Sequence, residues 1–105
     1  MATTTQIGNV GESFVATALM DMGYQTNLDT RLPGSTDIEA IQNGRKLLVQ
    51  VKAEVLPGTP ASLSSEEERN IKSRAINLGC EPWEAKVHLD ISLRVVGNIE
   101  WRKIA

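Results

Sequence analysis

Apolar residues Ile7, Val10, Phe14, Val15, Ala18, Leu19 and Met22 recur at helical spacing and predict a helix from about Thr5 to Met22. Gly8 and Gly11 lower its propensity, which is tolerable if the helix lies close against neighbouring backbone. Gly23 supplies a left-handed stop, and Tyr24 to Leu28 begins the first strand. Leu32-Pro33-Gly34-Ser35 is turn chemistry, followed by a second strand from Thr36 to Ile41. Asn43-Gly44, a strong two-residue hairpin signal, leads into a third strand from Lys46 to Ala53. In that strand Leu47, Val49, Val51 and Ala53 share one face, and Leu48, Gln50 and Lys52 the other. Both faces are apolar where it begins, so it is expected to be central and covered on both sides.

Pro57-Gly58-Thr59-Pro60 cannot form regular structure and is expected to be a mobile loop. Ser64/Glu67 and Ser65/Glu68 both fit a capping box opening a second helix, whose buried stripe is Ile71, Ala75 and Leu78 and whose stop is Gly79. Trp83, Ala85, Val87, Leu89 and Ile91 then alternate with Glu84, Lys86, His88 and Asp90, the pattern of a strand with one buried face. Gly97-Asn98 predicts a final hairpin returning through Ile99, Trp101 and Ile104. The order α-β-β-β-α-β-β implies an α/β fold, a mixed sheet flanked by helices, over a single domain 1–105.

The composition is ordinary globular material, with 41% hydrophobic and 23% charged residues. A core of this size has little to spare, so association into a dimer would add stability. The net charge of −2 argues against a surface that grips nucleic acid everywhere, because phosphate neutralisation supplies most non-specific affinity. It leaves room for a local basic strip beside an acidic site. Cys80 is the one cysteine, so no internal disulfide can form, which fits a reducing compartment. No stretch is apolar for long enough to cross a membrane, and MATTTQIGNVGES has neither a basic nor an apolar signal region. A soluble, cytoplasmic protein is the expectation.

Asp37 and Glu39 share a face of the second strand, as Gln50 and Lys52 do on the third. The Asn-Gly turn makes these strands antiparallel neighbours, so the pairs can meet. A hard cation such as Mg²⁺ takes oxygen ligands and keeps several waters. Asp37 offers a carboxylate, the Val51 carbonyl a second oxygen, and Gln50 or Glu39 a third. Lys52 would orient or deprotonate water, or steady charge developing on phosphorus. Exposed Asp and Lys residues on a hairpin are often inert. Here Gln50 and Lys52 interrupt an otherwise buried strand, and buried polar groups need partners. Glu12 flanks the apolar face of helix one, from where it can reach the end of the sheet. Its ordinary alternative is a solvated glutamate near a helix N-terminus.

These residues carry a resemblance. Gly11-Glu12, Gly23-Tyr24, Gly34-Ser35-Thr36-Asp37-Ile38-Glu39-Ala40 and Leu48-Val49-Gln50-Val51-Lys52, in this order, resemble the PD-(D/E)xK nuclease superfamily. Within it they are most similar to archaeal Holliday-junction resolvases and small bacterial endonuclease-like relatives. The likeness runs over essentially the whole chain and implies a restriction-endonuclease-like fold. It implies Mg²⁺-dependent (or Mn²⁺-dependent) hydrolysis of DNA, with Glu12, Asp37 and Lys52 in the catalytic positions. The usual second acidic residue is replaced by Gln50, an oxygen ligand without charge, although some restriction enzymes resembling this family use Gln-x-Lys. Glu39 would restore the charge. Thr36 stands where the superfamily name has proline. The resemblance also implies a homodimer, and a serine on a loop near the active site, for which Ser35 is the candidate.

Arg45 and Lys46 at the hairpin tip, with Lys72 and Arg74, are candidate phosphate contacts or a solvated rim. His88 reads as an exposed or edge residue, Cys80 as a buried thiol, and Trp83 and Trp101 as core or interface residues. Two functions stand at this point: a metal-dependent endonuclease, with the selectivity for branched or structured DNA that the resemblance implies, and an inactive relative that binds nucleic acid or protein. A subunit needing a targeting protein partner is a third.

Overall fold

The computed structural model describes residues 2–29 and 37–104, with Leu28, Asp29 and Asp37 described by their backbone. The elements follow the expected order: α1 (Thr4–Asp21), β1 (Gln25–Asp29), β2 (Asp37–Gln42), β3 (Arg45–Val55), α2 (Ser65–Leu78), β4 (Glu81–Leu89) and β5 (Glu100–Lys103). The strands form one sheet in the order β1-β2-β3-β4-β5. β3 and β4 are parallel, joined through α2, and the remaining neighbours are antiparallel. This is the mixed sheet flanked by helices that the sequence predicts, with β3 at its centre.

Each face of β3 feeds its own core. Leu47, Val49 and Val51 pack with Val15 and Leu19 of α1, Ile38 and Ala40 of β2, and Ala85, Val87 and Leu89 of β4. Leu48 faces the other way, against Ile71 and Ala75 of α2, Leu63 and Ile104. Burying each such Leu or Ile stabilises the fold by about 1.5–3 kcal/mol.

The ends of the elements are set locally. Thr3 caps α1 and Ser64 caps α2, each through a reciprocal box with the residue three positions on, Gln6 and Glu67. Asn43 and Gly44 both take positive φ, 48° and 81°, as the tight β2–β3 turn requires. Gly11 lies against β3. A Cβ there would sit 2.7 Å from Ala53 Cβ, so the absent side chain is what lets α1 approach the sheet. Gly8 makes no such approach; a Cβ there would meet only Glu12 Oε1, at 3.8 Å.

Three expectations are corrected. β4 stops at Leu89, and Ile91, expected on the buried face, is 90% exposed. Asp90 ends the strand by accepting the backbone N–H groups of Ser92 (2.8 Å) and Arg94 (3.0 Å), a local turn that competes with the ladder. The return to β5 is consequently a long connection and not a tight hairpin at Gly97-Asn98. Finally, Glu84, read as part of a polar outer face, is only 1% exposed. The 57–60 loop is irregular as expected, and the chain after it is fastened to β4 through Ser62 and Leu63.

Candidate nuclease site

The register of β2 and β3 builds the site. Asp37 pairs with Gln50 and Glu39 with Leu48, and the described ladder ends at Asp37–Gln50. The backbone of Asp37 therefore lies beside that of Gln50, and Lys52 lies two residues further along β3. The parallel register of β3 and β4 continues the row, Gln50 beside Glu84 and Lys52 beside Lys86. This row lies on the face that α2 covers.

Lys52 is tied to α2. Its Nζ lies 2.6 Å from Glu67 Oε2, and Gln50 Nε2 donates to the same oxygen at 3.3 Å. The other oxygen of Glu67 accepts the Ser64 N–H at 3.0 Å, so one carboxylate both caps the helix and holds the two polar residues of β3. The hydrogen bond from Lys52, followed by that from Ser64, holds the Glu67 carboxyl below its ordinary pKa. Gln50 Oε1 is buried without a hydrogen-bond partner among the described residues. An orphaned buried carbonyl oxygen is costly unless something polar meets it.

Glu12 approaches from the opposite face. Gly11 lies over Ala53 and Val51, the two neighbours of Lys52 in β3, so the next residue of α1 enters at the same end of the sheet as Asp37 and Gln50. Glu12 is buried, at 7% exposure, which is not the solvated glutamate of the ordinary alternative. The side chain of Val51 belongs to the α1-side core.

The other candidates are dispersed. Glu39 is based two pairs closer to the hairpin turn, opposite Leu48, and its charge acts on Cys80, whose thiol is pushed up by burial and by that carboxylate. Ser35 and Thr36 lie outside the described residues. Arg45 is engaged by Glu81 through two bonds of 2.9 and 3.2 Å. Lys46 is exposed but about 20 Å along the strand from Lys52, at about 3.3 Å per residue. Lys72 and Arg74 are half-buried on α2. Trp83 and Trp101 pack against the α1-side core, and His88 faces Glu100 at 3.3 Å.

Glu67 is the residue that the sequence reading left out. The capping box identified it as a helix-start residue, and nothing in the spacing tied α2 to Lys52. Glu84 and Arg102 were also missed, because period-two alternation says which side chains share a face and not whether a helix covers that face.

Taken as a fold, the mixed sheet with α1 on one face and α2 on the other is a resolvase-like α/β architecture. Among solved structures it is similar to Hjc of Archaeoglobus fulgidus, a Holliday junction resolvase from an archaeal hyperthermophile. The TM-score is 0.71 at 19% identity, covering 92% of this chain and 72% of that one. At that identity the likeness is one of fold. No protein-family model and no curated protein matches the chain.

Proposed function

We propose that this protein is a metal-dependent endonuclease that hydrolyses DNA phosphodiester bonds, with four-way or otherwise branched DNA as the favoured substrate. The observation that supports it most is the convergence of Lys52, Gln50 and Glu67 beside the strand position of Asp37. The substrate class comes from the resolvase that shares the fold.

A divalent cation fits the donor set. Gln50 Oε1 is a buried oxygen without a hydrogen-bond partner among the described residues, and the backbone of Asp37 lies directly opposite. Asp37, Gln50 and the Val51 carbonyl would hold Mg²⁺ or Mn²⁺, with Glu12 reaching it through water. When bound, the metal supplies a Lewis acid for the phosphoryl oxygen and lowers the pKa of its water. Glu67 supplies, from α2, the negative charge that Gln50 lacks in the strand. Its carboxyl is stabilised as an anion, so it orients its neighbours and is a poor proton acceptor. Lys52 already donates to Glu67 at 2.6 Å and serves as a donor, steadying the attacking water or the charge on phosphorus. Glu39, near Cys80, is an auxiliary at most. A homodimer, or a partner that brings the subunit to DNA, would offset the net charge of −2.

One observation favours a second reading, a nuclease fold kept as a binding module: Lys52 is already engaged by Glu67 at 2.6 Å, as a purely structural ion pair would be. Titration with Mn²⁺ separates the two. The nuclease reading expects wild type to bind, Asp37→Asn to lose binding, Glu67→Gln to weaken it, and Lys46→Ala to leave it unchanged. Absence of binding to wild type supports the binding module.

A further inference from the structure

Beside Lys52 and Glu67 lies an ionic cluster to which the nuclease reading gives no role. Glu84 of β4, only 1% exposed, sits next to Gln50 in the parallel register and opposite Arg102 of β5. Its Oε2 accepts the backbone N–H of Leu63 at 2.7 Å. Arg102 clasps both its oxygens, Nε to Oε1 at 3.1 Å and Nη2 to Oε2 at 3.3 Å. The same Nη2 donates to Glu68 Oε1 at 2.7 Å. Lys86 lies 3.9 Å from Glu84 and donates to Ser62 at 2.6 Å.

The positions of these tethers on the helix matter. Ser64 is the N-cap of α2, and Glu67 is the third residue of the helix. Leu63 precedes the cap and Glu68 follows Glu67, so the two tethers bracket Glu67 along the chain, and both converge on Glu84. Apolar packing of Leu63, Ile71 and Ala75 seats the helix on the sheet. Such packing is non-directional and does not by itself fix the rotation and height of the first turn. Two directional bonds on either side of Glu67 do. Burial pushes the Glu84 carboxyl up, but Arg102 and the Leu63 N–H outweigh it, and the pKa ends below the ordinary value. A buried anion gives little net stability over apolar packing, so its directional bonds are the distinctive contribution.

We infer that Glu84 is a positioning residue for the candidate site: through Leu63 and the Arg102–Glu68 link it fixes the first turn of α2 and so holds Glu67 on Lys52 and Gln50. The functional meaning of this rests on the nuclease reading, but the geometry can be tested without metal or DNA. The probe is the side-chain ammonium of Lys52, observed by ¹H–¹⁵N NMR in the metal-free protein, where the ion pair slows exchange of its protons with water. Glu67→Gln removes the partner and sets the free limit. Glu84→Gln is expected to speed exchange roughly tenfold toward that limit, while the protein remains folded by circular dichroism. Glu68→Gln, which cuts only the outer tether, is expected to move it the same way by less. Glu81→Gln, at the far end of β4, is expected to leave it at the wild-type rate. A folded Glu84→Gln variant with wild-type Lys52 exchange overturns the inference. If that variant does not fold, wild-type exchange in Glu68→Gln overturns it instead. In DNA cleavage the expected mark of Glu84→Gln is a lower kcat with little change in KM. A wild type that cleaves nothing refutes the nuclease reading, and Lys52 exchange still decides the role of Glu84.

Discussion

Replacing Gly11 by alanine tests how α1 delivers Glu12. A Cβ at this position would stand 2.7 Å from Ala53 Cβ and 3.5 Å from Val51 Cγ1. Carbon atoms prefer separations of about 3.5–4.0 Å, so helix and strand must part by about 1 Å locally. Forcing a methyl group into a packed contact costs about 1–3 kcal/mol. Alanine returns about 1 kcal/mol of helix propensity, since Gly11 is interior to α1. The net expectation is a destabilisation of about 0–2 kcal/mol, and the coupling is more diagnostic than the sum. Ala53→Gly removes the clashing carbon and leaves Ala53 Cα 4.0 Å from the new methyl group, an ordinary contact. In a double-mutant cycle by urea unfolding, the pair is expected to be more stable than the sum of the single changes by about 1 kcal/mol or more. Gly11→Ala alone should also weaken Mn²⁺ binding, because Glu12 rides on the displaced turn. Additive single changes, or a Gly11→Ala variant more stable than wild type by the full propensity gain, would refute the close approach.

The other predictions concern the site and the acid limb. Glu67→Gln keeps the shape but removes the charge that α2 brings to Lys52, and should lower metal-dependent cleavage about tenfold or more in a single-turnover assay. Gln50→Glu sets a second carboxylate where an amide now donates to Glu67 at 3.3 Å. Its melting midpoint should fall without Mg²⁺ and rise more on adding it than that of wild type, read by calorimetry. Glu81, pulled down to about 2 chiefly by the hydrogen bond from Arg45, contributes stability that is lost as pH falls toward that value. That contribution is complete above the ordinary carboxylate pKa of about 4.3. Thermal midpoints of wild type and Glu81→Gln, measured from neutral to acid pH, should therefore converge on acidification, and parallel curves would contradict this.

How much of this was legible beforehand depended on which rule carried it. The helices, the Asn43-Gly44 turn and the central place of β3 follow from periodicity and turn chemistry, and the structure has them within a few residues. The pairing of Asp37 with Gln50 was also legible, because a two-residue turn fixes the hairpin register. The end of β4 was not. Ile91 continues the alternation perfectly, and the side chain of the residue just past the ladder, Asp90, decides otherwise by capturing local N–H groups. Nor was the partner of Lys52 legible. Its alternation with Gln50 marked both as polar groups in need of partners, but Glu67 is fifteen residues on, and only the seating of α2 across β3 brings them together. Glu84 looked like any outward-facing glutamate, because burial of a strand's second face depends on what the rest of the chain lays across it.

The most direct measurement is single-turnover cleavage of labelled four-way-junction, duplex and single-stranded DNA with Mg²⁺ or Mn²⁺, comparing wild type with Lys52→Ala. The account predicts metal-dependent cleavage by wild type, fastest on the junction, and a loss of about 100-fold or more in the variant. No cleavage of any of the three by wild type, or equal cleavage by the variant, would contradict it.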